Sequence, residues 1–174
     1  MRLKETTLRK NYLYKGKVIT LRKDDALLPS GKECVREIIE HSGGSCVLFV
    51  KGGNILFVKQ YRYAYGEELY ELPAGKLNGN EDPRDAAVRE LEEETGIRAQ
   101  NLELLFTVYP TPGYTNEKIY LYYATEGVQT AQNPDEDEFL EVEWIPVKTA
   151  REMLQRGEIK DAKTIIALQA YFLR

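Results

Sequence analysis

Residues 75–97 read GKLNGNEDPRDAAVRELEEETGI. This is a loop that turns into a helix. Asp82 suits the N-cap, Pro83 the first helical position, and Gly96 the position just past the end. Ala87 and Leu91, four apart, give the helix a core-facing edge. Four of the six residues from Glu90 to Thr95 are glutamates, and they fall on the last turn. A helix favours the reverse arrangement, because its C-terminal end carries partial negative charge. Glu90 and Glu94 also repel each other across one turn, with their carboxylates on one face and Glu93 at its edge. Divalent cations, which bind carboxylate oxygens, would relieve that field. The alternative is a solvated acidic helix face.

The spacing sharpens this. In the pattern G-x5-E-x7-R-E-U-x-E-E-x-G-U, with U a bulky aliphatic, every fixed position is filled. The residues are Gly75, Glu81, Arg89, Glu90, Leu91, Glu93, Glu94, Gly96 and Ile97. The segment resembles the signature of the Nudix hydrolases, which cleave nucleoside diphosphates linked to another group. The resemblance implies Mg²⁺, with Mn²⁺ as a substitute, held mainly by Glu90 and Glu94. Glu93 assists, and the Ala74 backbone carbonyl adds one more ligand. It also implies that Glu81 and Arg89 shape the loop–helix unit, Arg89 bracing carboxylates through its planar fork. Gly75 and Gly79 would let the loop turn tightly.

Upstream, Ser45–Val50 and Ile55–Gln60 are apolar runs joined by Lys51-Gly52-Gly53-Asn54, a hairpin signal. Leu69–Pro73 leads into the loop. Downstream, Leu102–Tyr109, Lys118–Thr125 and Leu140–Ile145 read as strands. Thr149-Ala150-Arg151-Glu152 predicts a capping box for a helix ending near Gly157. Asp161 caps a last helix with an apolar stripe of Ile165, Ile166, Leu168 and Phe172. The first forty residues show short strands, including Val18–Lys23 and Glu33–Glu40, with turns near Gly16 and Gly31. The pattern predicts an α/β fold. The resemblance makes it a Nudix-type α/β/α sandwich with a mixed sheet over residues 43–174. A small N-terminal antiparallel β-sheet would occupy residues 1–42.

Within the family, the flanks resemble the ADP-ribose pyrophosphatase branch. Arg62, in Gln60-Tyr61-Arg62, matches an arginine that contacts the substrate phosphate; a guanidinium offers a diphosphate paired donors. Arg36 is a looser match for a second substrate contact, with a surface ion pair as its alternative. The stretch from Tyr109 to Glu117 places Pro112, Gly113 and Glu117 in a substrate-side loop, or simply in a rigid connection. In the acidic loop Pro134–Glu138, Glu136 or Glu138 matches a general base or further metal ligand. A merely solvated loop is the alternative. The branch implies hydrolysis of ADP-ribose to AMP and ribose 5-phosphate by a homodimer whose N-terminal strands help build the partner's site. Rival readings are another nucleoside diphosphate sugar such as GDP-mannose, a dinucleotide, or a Nudix-like ligand sensor without catalysis. The intact glutamates argue against the sensor.

Composition is consistent with this. A net charge of -4 argues against a general nucleic-acid binder. There is no apolar run long enough for a membrane span. Cys34 and Cys46 are too few for a disulfide framework, which points to the cytoplasm. The 12 tyrosines suit half-buried strands, and one or two could stack on a base or anchor a subunit contact.

Overall fold

A computed structural model describes residues 3–134 and 138–174. The chain divides into two compact units, one formed by residues 1–43 with 109–118, the other by residues 44–108 with 119–174.

The first unit is built on a three-stranded antiparallel sheet. Its strands are β1 (Thr6–Lys15), β2 (Thr20–Leu27) and β3 (Glu33–Glu40), with β2 in the centre. The second strand begins at Thr20 rather than Val18, because the Gly16 N–H closes a turn on the Ile19 carbonyl at 2.9 Å. Residues 109–118 join this unit through the end of β3. Ile39 N–H donates to the Tyr114 carbonyl at 2.7 Å, and Asn116 N–H donates to the Ile39 carbonyl at 3.2 Å.

The second unit contains β4 (Gly44–Lys51), β5 (Asn54–Arg62), β6 (Glu67–Glu71), β7 (Ala74–Lys76), α1 (Pro83–Thr95), β8 (Ile97–Ala99), β9 (Glu103–Val108), β10 (Ile119–Ala124), β11 (Gly127–Gln129), β12 (Leu140–Pro146), α2 (Val147–Gln155) and α3 (Ala162–Phe172). A seven-stranded sheet runs β12-β5-β4-β10-β9, with β6 paired to β5 and β7 to β4. It is mixed: β4 and β10 run parallel, and the other ladders are antiparallel. The short strands β8 and β11 pair separately.

The Cys46–Val50 run of β4 is apolar because both of its faces are covered. Cys46, Leu48 and Val50 point into one core with Ala150, Met153, Ala167 and Leu168 from α2 and α3. Val47 and Phe49 point into the other with Ala87 and Leu91 from α1. The unit is thus an α/β/α sandwich. The hairpin between β4 and β5 turns on Gly52 and Gly53, both at positive φ (58° and 77°), as a two-residue turn of that kind requires.

Two further local expectations are corrected. The helix expected at Thr149 starts at Val147, with Pro146 at its N-cap and no side-chain cap. The Val147 N–H is already satisfied by the Gly53 carbonyl at 3.0 Å, so one of the helix's first free donors is met by the hairpin turn. In α3, Ile166 is at the exposed edge, and Ala167 and Leu168 are the buried pair. Asp161 does cap this helix, accepting from Thr164 N–H at 3.0 Å.

Candidate active site

The loop–helix segment forms as its residues dictate. Asp82 Oδ1 accepts from Arg84 N–H at 2.8 Å, and Pro83 opens α1. Gly96 closes it at φ 68°, its N–H donating to the Glu92 carbonyl at 2.8 Å. Gly79 turns the loop at φ 58°. Gly75 has a different role from the turn expected of it. Its φ is not positive, but a Cβ there would lie 2.0 Å from the Glu90 carboxyl carbon. The glycine makes room for a carboxylate.

Arg89 organises the acids. Its guanidinium donates Nε and Nη2 to both oxygens of Glu81 at 2.9 Å each, and Nη1 to Glu90 at 2.7 Å and Glu93 at 2.8 Å. A second Nη2 bond reaches the Lys76 carbonyl at 3.1 Å. All the donors of the guanidinium are therefore used. These bonds hold the Glu81 carboxyl below the usual carboxylate range. On the same turn, Glu92 pairs with Arg98 at 2.9 Å.

Glu94 is the exception. It is 3% exposed, α1 has no basic residue in its last turn, and its hydrogen-bond donor is the Ala74 backbone N–H, at 3.0 Å. Burial pushes its carboxyl up to about 8; the Ala74 bond opposes this, the negative charges of Glu90 and Glu138 add to it, and the Lys163 charge opposes it less strongly. Burial also raises Glu90, against the pull of Arg89. The electrostatic conflict read in the sequence is thus concentrated on two desolvated carboxylates one turn apart.

Such a donor set fits Mg²⁺. Hard oxygens are what the ion takes, and a cation would offset the burial of both carboxylates. Among the described residues, no three His, Cys, Asp or Glu side chains close into a ready-made cage. Mg²⁺ commonly uses one or two carboxylates, with waters and substrate phosphates completing its shell.

The other expected residues divide between the two units. Arg36, on β3, is exposed and forks onto Glu5, at 2.9 Å and 2.6 Å. Pro112 and Gly113 are exposed in the 109–118 loop. There the Glu117 N–H donates to Thr115 Oγ1 at 3.1 Å, and the Glu117 carboxylate lies 3.5 Å from His41 Nδ1. In the second unit, Arg62 at the end of β5 forks onto buried Glu71, at 2.5 Å and 2.7 Å. Glu138 is near enough for its charge to raise both Glu90 and Glu94; Glu136 lies outside the described residues.

Sequence reasoning did not single out the support behind Ala74. Glu71 is also held by Lys163 of α3, and the Leu72 N–H donates to Thr164 Oγ1 at 2.9 Å. The Pro73 carbonyl accepts from Val47 N–H at 2.9 Å. Glu71 lies in the Leu69–Pro73 run that leads into the Gly75 loop, whereas Lys163 carries no local signal.

A buried carboxylate pair on a glycine-bounded loop–helix unit, carried by an α/β/α sandwich, is the arrangement expected of the hydrolase class whose signature the sequence resembles. The chain belongs to the NUDIX domain family, whose model matches residues 40–168. It is similar to an ADP-ribose pyrophosphatase of Bacillus subtilis, at 40% identity over 96% of this chain and 92% of that protein. It also resembles a methanol dehydrogenase activator of Bacillus methanolicus, at 38% identity over 95% and 91%. A solved structure of an ADP compounds hydrolase shares the fold with a TM-score of 0.86 at 20% identity, covering 98% of this chain and 93% of that one.

Proposed function

We propose that this chain is a Mg²⁺-dependent pyrophosphatase that hydrolyses ADP-ribose to AMP and ribose 5-phosphate. The observation that carries the reading is the buried Glu90–Glu94 pair. It stands in a chain that aligns over nearly its full length with an ADP-ribose pyrophosphatase. Glu90 and Glu94 are the principal metal ligands, with Glu93 and the Ala74 carbonyl assisting. A metal held there would neutralise charge on the diphosphate and make water a better nucleophile. Arg89 fixes the orientation of the carboxylates. Arg62 binds the diphosphate, and Glu136 or Glu138 takes the proton from the attacking water. Arg36, Pro112, Gly113 and Glu117 contribute substrate contacts.

A homodimer fits the first unit, where Leu8, Tyr12, Leu13, Tyr14 and Val35 are exposed on the two edge strands of a small sheet; a subunit contact would cover such apolar side chains. Free Cys34 and Cys46 suit the cytoplasm. The reading is tested by product analysis on a panel of ADP-ribose, GDP-mannose and a dinucleotide, with Mg²⁺. AMP released from ADP-ribose at the highest kcat/KM is the expected result. Cleavage of GDP-mannose with no AMP from ADP-ribose would overturn the substrate assignment. No cleavage of any of the three would favour a ligand sensor.

A further inference from the structure

Glu71 is a carboxylate at 2% exposure, a position that an ionised group holds only with strong partners. It has two cations. Arg62 pairs with it along the β5–β6 hairpin through Nε and Nη2, using the fork geometry that fixes a guanidinium plane. Lys163, on α3 and far away in sequence, reaches Glu71 Oε2 from within the protein. The lysine side chain is 12% exposed, and that of Arg62 is 41%. Lys163 is therefore the inner countercharge and Arg62 the rim partner. Lys163 also lies 3.0 Å from Asp161 Oδ2. That carboxylate also accepts from the Thr164 N–H at 3.0 Å and hydroxyl at 2.6 Å, so the lysine bridges two carboxylates, Asp161 and Glu71. Among the described residues, Arg62 Nη1 makes no hydrogen bond.

We propose that Glu71 and Lys163 are positioning residues for Arg62. Lys163 supplies the charge that Glu71 needs in its buried setting. Glu71 then orients the guanidinium through Nε and Nη2, and the Nη1 edge stays available to the substrate diphosphate. This rests on the assignment of Arg62 as a diphosphate contact.

The test is a double-mutant cycle read in KM, kcat and melting temperature, with ADP-ribose and Mg²⁺. Lys163→Met and Glu71→Gln should each raise KM about tenfold, the scale of one charge-assisted hydrogen bond, with kcat little changed. Lys163→Arg should recover most of the loss. In an Arg62→Ala background, Lys163→Met should have no further effect on KM, because the residue it positions is gone. Should Lys163→Met lose its melting transition, Lys163→Gln replaces it with the same expectation. An unchanged KM in both Lys163→Met and Glu71→Gln, with Arg62→Ala impaired, overturns the positioning role alone. So does an equal KM rise from Lys163→Met with and without Arg62. An unchanged KM in Arg62→Ala overturns the diphosphate assignment and the proposal with it.

Discussion

The carboxyl carbon of Glu90 lies where a side chain on Gly75 would have to begin, 2.0 Å from the position of a Cβ. The signature glycine and the signature glutamate, fifteen residues apart in the chain, are one steric unit. Gly75 has no positive φ, so close approach rather than backbone conformation requires the glycine.

Gly75→Ala should therefore displace Glu90 and weaken metal binding. Overpacking of this kind costs roughly 1–3 kcal/mol in stability. Calorimetric titration with Mn²⁺ checks it, the expected result being a clear loss of affinity in a protein that still melts cooperatively. Unchanged affinity would mean that Glu90 is not held there when the metal binds.

Stability without metal should fall as pH rises. Burial pushes Glu94 up to about 8, so between the ordinary glutamate range and that value the native state keeps a proton that the unfolded chain has lost. Where the native state binds more protons, stability decreases with pH, and here the loss is complete above about pH 8. Melting temperatures of metal-free protein from about pH 5 to about pH 8 check this. Mg²⁺ should raise the melting point more at the alkaline end, since it binds the ionised carboxylate. Glu94→Gln should flatten both trends, and an unaltered slope in that variant would assign them to other groups.

Arg89→Lys should fail as a substitution despite keeping the charge. One ammonium cannot replace a guanidinium that spans Glu81, Glu90, Glu93 and the Lys76 carbonyl. The expected cost is roughly 2 kcal/mol or more, since charged partners are left under-satisfied. Denaturant unfolding measures it, and a loss within error of zero would contradict the bracing role.

Thr164→Val keeps the shape of a fully buried side chain but removes the acceptor of the Leu72 N–H and the hydroxyl donor to Asp161. The unpaired groups should cost about 1–3 kcal/mol. Denaturant unfolding reads that loss. Full retention of stability would show that the segment before Ala74 does not depend on α3.

Much of this was legible in the chain. The cap at Asp82, the stop at Gly96 and the Gly52-Gly53 turn are local signals, and each forms as read. The two-faced burial of β4 follows from its unbroken apolar run. What was hidden lies in long-range side-chain contacts. Nothing near Lys163 points to Glu71, and nothing near Thr164 points to Leu72, because 92 residues separate each pair. The cap of α2 is not legible at Thr149, because the first N–H of the helix is satisfied from the β4–β5 turn. The acidic turn was visible as a conflict, but its composition did not reveal that Arg89 and Arg98 relieve three of the four glutamates and leave Glu94.

Turnover of ADP-ribose by Glu94→Gln at saturating Mg²⁺ tests the central claim most directly. The substitution removes one charge at constant shape from the most buried carboxylate on α1. The account predicts a fall in kcat of orders of magnitude, with weakened Mn²⁺ binding and a cooperative melting transition retained. Turnover near that of the unaltered chain would contradict it.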